Sequence, residues 1–109
     1  MHHLTMADKS LLIGDRAAAL LVNYAALVAK TAGGDAIQLK AFGIDGAEVV
    51  VTVLLNAGTV LLVETTPSHL PEPDNSKLEE YLQGKLDGYA VGGMESWDDL
   101  LTDEASQSD

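Results

Sequence analysis

Residues 48–55, Glu-Val-Val-Val-Thr-Val-Leu-Leu, are Val-rich on both parities and stand between two turn signals, Asp45-Gly46 before and Asn56-Ala57-Gly58 after. β-Branched side chains lose rotamer freedom in a helix and pack well on a pleated surface, so the run is a strand. One helix across 49–63 fails on the same count, and Gly58 would interrupt it. Asp-Gly between two β-like runs is the chemistry of a hairpin turn that needs positive φ. The run ahead of it, 36–42, alternates, with Ile37, Leu39 and Ala41 on one side and Gln38, Lys40 and Phe42 on the other. This is the pattern of a half-buried strand.

A two-residue turn at Asp45-Gly46 sets Ile44 against Ala47, and therefore Phe42 against Val49 and Ile37 against Leu54. Asn56-Ala57-Gly58 predicts a three-residue turn with Gly58 left-handed, followed by a third strand over 59–65. In that meander Phe42, Val49, Val51, Val53, Leu61 and Val63 share one face, while Ile37, Leu39, Ala41, Val50, Leu54, Val60 and Leu62 share the other. Both faces are then apolar, and two helices packed on one would leave the second bare. Bare patches of more than a few hundred Å² are uncommon on monomers.

The helices lie on either side of the meander. Over 15–31 the positions Ala17, Leu20, Leu21, Tyr24, Leu27, Val28 and Thr31 recur at helical spacing, and Gly33-Gly34 supplies a stop. Val22, Ala25, Ala26 and Ala29 make the other side apolar as well, which predicts cover on more than one side. Ahead of it, Ser10-Leu11-Leu12-Ile13 fits an early helical turn or a short extended segment, broken at Gly14. All three prolines fall in Pro67-Ser68-His69-Leu70-Pro71-Glu72-Pro73, an extended, stiff crossing that cannot continue a sheet. A second helix follows over 76–88, with Ser76 and Glu79 as a capping box and Leu78, Tyr81, Leu82, Leu86 and Tyr89 on one face.

Composition bounds the function classes. A chain of 109 residues with 47% hydrophobic and 21% charged side chains is a folded domain rather than a disordered one. The absence of cysteine removes disulfides and thiolate chemistry, and suits a cytoplasmic setting. Seventeen acids against six bases give a formal net charge of −11, and the six cations are scattered singly, which excludes the Lys/Arg clusters that bind phosphate backbones. The longest apolar stretch, 17–29, is interrupted by Asn23 and is shorter than a membrane span. The N-terminus lacks a cationic segment leading into an apolar one, so no secretory signal is expected. Six acids and no base lie from Met94 onward, so more than half the net charge sits in the tail.

Few residues carry chemistry. His69 with Glu72 and Asp74 could form an acid/base group beside a pocket, but polar residues on proline-stiffened loops commonly stay wet. Neither Ser68 nor Ser76 sits in a nucleophile-elbow pattern. The glycine pairs do not lead a strand into a helix as a phosphate cradle would. Asp98, Asp99, Asp103 and Glu104 lack the spacing of a calcium loop. Tyr24, Tyr81 and Tyr89 fall on apolar helix faces and read as packing. In the tail, Met94, Trp97, Leu100 and Leu101 would share one side of a short helix, which either docks back on the domain or meets a partner.

These readings predict an α+β fold, a two-layer α-β-β-β-α arrangement with a three-stranded antiparallel meander and two flanking helices. The expected division is an N-terminal extension over 1–14, a single domain over 15–93 and an acidic tail over 94–109. The expected function is a small non-enzymatic adaptor or regulatory domain that self-associates, with a dimer favoured, and binds a protein partner of basic character through Met94, Trp97, Leu100 and Leu101. No cofactor, metal, nucleic acid or membrane is expected. The alternative is a small-molecule-binding or enzymatic domain with its pocket at His69, Glu72 and Asp74.

Overall fold

The computed structural model describes residues 1–68 and 70–91. The expected chain order is enlarged at its start: β1 (His2–Met6) and β2 (Lys9–Ile13) precede α1 (Asp15–Lys30), β3 (Gly34–Phe42), β4 (Glu48–Asn56), β5 (Leu61–Thr65) and α2 (Ser76–Val91). The segment over 1–14, expected as an extension, thus forms a hairpin of the sheet, and Ser10 to Ile13 is extended. The class is α+β, with one antiparallel five-stranded sheet in the order β4-β3-β2-β1-β5.

The three-stranded meander is therefore corrected. β5 leaves β4 and pairs with β1, placing Leu4 opposite Val63 and Met6 opposite Leu61. Gly58 does not take positive φ; its N–H bonds Asn56 Oδ1 at 2.8 Å in a side-chain turn. Only residues 57–60 separate β4 from β5, at opposite margins of the sheet order. Five Cα steps reach at most about 18 Å. The sheet must curl until its margins approach, and Leu4 and Met6 of β1 accordingly line a cavity together with Val51 and Val53 of β4.

The β3–β4 register is also one residue away from expectation. Phe42 lies opposite Glu48, Ala41 opposite Val49 and Ile37 opposite Val53. The cause is a longer turn: Gly46 N–H bonds Gly43 C=O at 3.0 Å, Gly43 N–H bonds Ala47 C=O at 2.9 Å, and Gly46 alone takes the left-handed φ of 84°. A three-residue loop of this kind, a turn closed by a left-handed glycine, is the next commonest hairpin after the two-residue one. A slip of one residue moves one strand's side chains to the opposite face relative to its neighbour. Ile37, Leu39 and Ala41 thus join Val51, Val53 and Leu55 facing the core, while Phe42 joins Val50 and Leu54 on the open side.

Both helices lie on the core face. α1 buries Ala17, Ala18, Leu20, Leu21, Tyr24, Leu27 and Val28, and α2 packs on α1 and β3 with Leu82 and Leu86 buried. Of the apolar positions on the other side of α1, Ala25 and Ala26 pack partly buried against the core, whereas Val22 and Ala29 stay exposed, so the expected cover is only partial. α1 ends one residue earlier than the spacing suggested, and its left-handed stop is Ala32 at φ 56° rather than a glycine. Ala32 N–H bonds Ala29 C=O and Gly33 N–H bonds Val28 C=O, at 3.3 and 3.1 Å. These bonds satisfy carbonyls that the helix end would otherwise orphan.

Candidate functional site

Two of the residues expected to carry chemistry, Glu72 and Asp74, make hydrogen bonds at the starts of the helices. Glu72 Oε2 accepts the N–H of Asp15 at 3.2 Å, capping α1 from the proline-rich crossing. The crossing comes so close that a Cβ on Gly14 would stand 2.7 Å from Glu72 Oε1 and would displace that carboxylate. Asp74 Oδ1 accepts both the N–H and the O–H of Ser76, at 3.0 and 2.8 Å. The Ser76 N–H, followed by its hydroxyl, holds the Asp74 carboxyl below its usual value. The capping box is replaced: Ser76 turns to Asp74, Glu79 N–H bonds the Asn75 carbonyl at 2.8 Å, and the Glu79 carboxylate lies 3.8 Å from Arg16 of α1. His69 lies outside the described residues, as do Met94, Trp97, Leu100 and Leu101. Among the described residues no cluster of three or more His, Asp or Glu side chains is placed to hold a metal ion.

Two polar arrangements, one buried and one partly exposed, were not legible in the sequence. Asn75, 6% exposed, uses its side chain as a piece of strand: Lys40 N–H donates to Oδ1 and Asn75 Nδ2 donates to the Lys40 carbonyl, each at 2.8 Å. It rivets the start of α2 to the side of β3 that faces away from β4. At the other end of β3, the hydroxyls of Tyr24 and Tyr81 both donate to Asp35 Oδ2 at 2.5 Å, and the rings meet edge to face with centroids 6.1 Å apart. Lys85 Nζ stands 5.5 Å from the Tyr81 ring centre. The Tyr24 hydroxyl, then that of Tyr81, keeps Asp35 ionised below its usual range. Burial, then Asp35, pushes Tyr24 up, while Asp35 does the same for Tyr81. Through these two hydrogen bonds Asp35 of β3 joins Tyr24 of α1 to Tyr81 of α2.

What remains presented to solvent is the open side of the sheet. The corrected register makes it mixed rather than uniformly apolar: His3, Thr5, Ser10, Gln38, Lys40 and Thr52 alternate there with Leu12, Phe42, Val50, Leu54 and Leu62. Val50, Leu54 and Leu62 are 60%, 63% and 54% exposed, whereas Leu12 and Phe42 are half-buried. Val50 and Leu54 belong to β4, a sheet margin. No helix of the described residues is long and apolar enough to cross a membrane. No protein-family model, curated protein or solved structure matches the chain.

Proposed function

We propose that this protein is a non-enzymatic interaction module that self-associates and engages a protein partner through the open side of its sheet. The observation that carries the reading is the group Val50, Leu54 and Leu62, three large apolar side chains more than half exposed on one sheet face. Apolar surface of that kind gains about 25 cal/mol per Å² when covered, although lost translational and rotational freedom offsets much of the gain. The polar side chains between them, Gln38, Lys40 and Thr52, suit a surface that is wet when free and covered when bound.

Sedimentation equilibrium over a concentration series tests the reading. The chain is expected to exceed monomer mass at hundreds of micromolar, and the double variant Leu54→Lys/Leu62→Lys to bind less of an apolar dye with an unchanged fold. A monomer at every concentration, with no binding of an apolar dye, overturns it.

A further inference from the structure

The two margins of the sheet are not alike. β5 is five residues long and is followed by Thr66-Pro67, the short and proline-ended form by which edges are normally kept from pairing. β4 has nine residues, EVVVTVLLN, with a single charge and neither lysine nor proline. Lys40 lies opposite Val50 and turns its own N–H and C=O away from β4, into the side chain of Asn75. In an antiparallel ladder the opposed residue does likewise, so Val50, and with it Glu48 and Thr52, points N–H and C=O outward from the sheet.

The far end of this edge is closed. The Thr59 hydroxyl donates to the Leu54 carbonyl at 3.0 Å and accepts the Asn56 N–H at 2.9 Å, standing where a neighbouring strand would otherwise stand. Among the described residues the stretch open to pairing is therefore Glu48 to Thr52. Beside it lies an open cleft of about 830 Å³, lined by Lys9, Leu11, Gly43 and the residues from Val49 to Thr52.

We propose that two copies of this chain join antiparallel through β4 about a two-fold axis at Val50, so that Val49 and Val51 of each copy fall on the cleft side of the other. This rests on the self-association reading but assigns the contact to the strand edge rather than to the open face. The occupant is a second copy because the open stretch complements itself. Val50 meets Val50, Glu48 of one copy meets Thr52 of the other, and the one acid does not face its twin. The alternation yields about six inter-copy backbone hydrogen bonds. Val49 of one copy then sits opposite Val51 of the other, a β-branched pair of the kind that stabilises sheets.

The full chain, which has no cysteine of its own, tests the register directly. Residues opposed on the axis have Cα atoms about 5.5 Å apart, within disulfide range. Val50→Cys is expected to cross-link to a dimer under mild oxidation, and Leu62→Cys to stay uncross-linked. Val50→Pro removes an N–H that makes no bond to β3, and is expected to lose the dimer while keeping its circular dichroism. In hydrogen exchange the amides of Val50 and Thr52 are expected to become protected only as concentration rises. Dimers that survive Val50→Pro but dissociate in Leu62→Lys place the contact on the open face, overturning this inference and leaving the function reading standing. Protection of Val50 and Thr52 in a species of monomer mass means that the chain covers its own edge, and also overturns it. If Val50→Pro fails to fold, absence of the Val50→Cys cross-link in a dimeric sample decides against the proposal. Monomer mass throughout, with both amides unprotected, overturns the inference and the function reading together.

Discussion

Asn75 does with one side chain what a neighbouring strand would do with its backbone, and its replacement by alanine exposes the consequence. Lys40 then keeps an N–H and a carbonyl at a half-covered position with no protein partner, at a cost of about 2 kcal/mol. Asn75→Ala is expected to lower the urea midpoint accordingly without altering the slope. The Tyr24–Asp35–Tyr81 lock predicts a pH profile. Asp35 has its folded value depressed below the ordinary ~3.9, so its stabilisation is complete above that value and is lost as pH falls through the folded one. Tyr24 and Tyr81 are raised above the ordinary ~10, so theirs is present below it and lost as pH rises through the raised values. Stability should therefore be flat between these limits and fall on both sides. Tyr24→Phe should make both arms shallower, and lower the plateau by roughly 1.5 kcal/mol for a hydrogen bond to a charged acceptor. Thermal melts from pH 2 to pH 11 would check this, and an unchanged acid arm would mean that Tyr24 does not hold Asp35.

At the scale of elements, small backbone choices set the architecture. One residue more in the β3–β4 turn exchanged the two faces of β3 relative to β4, and that residue is accommodated because Gly46 tolerates φ 84°. Gly46→Ala is expected to destabilise by about 1 kcal/mol, since Cβ meets the backbone in that region. The end of α1 gives the opposite sign. Ala32 occupies a left-handed position that glycine fills without strain, so Ala32→Gly should stabilise by about 1 kcal/mol. Differential scanning calorimetry of the two single variants reads both effects, and a destabilised Ala32→Gly would contradict the strain argument. Glu72, which the sequence offered as a pocket residue, acts across 57 positions as the cap of α1. Glu72→Ala should accordingly cost about 1 kcal/mol of stability, the usual worth of a cap.

For the whole molecule, charge and association pull against each other. A copy carrying −11 repels its twin, whereas backbone pairing and apolar contact do not depend on net charge. Salt screens the repulsion within about 10 Å at 0.1 M. Self-association should therefore tighten as salt is raised, while binding of a basic partner should weaken, because there the screened term is the attractive one. Native mass spectra from matched low- and high-salt samples separate the two, and a self-association that weakens with salt would count against an edge that pairs through uncharged groups.

The sequence by itself determined what local physics can fix. The helix over 15–31, the strandedness of 36–42 and 48–55, the breaking role of the proline run and the start of α2 at Ser76 all follow from periodicity, β-branching and turn chemistry, which act within a few residues. It also determined that the two tyrosines pack, but not that they converge on Asp35, because nothing in a helix's own period points to a residue 46 positions away. Only the tertiary structure decided where β5 pairs, since an edge strand is chosen by competition between distant partners and β1 offered Leu4 and Met6. The N-terminal hairpin is not legible in the sequence for the same reason: Lys9 to Ile13 is too short for its period to tell strand from helical turn, and β1 acquires its meaning only from the strands on either side. The sheet register hung on one residue of loop length, and with it the identity of the face left open to solvent.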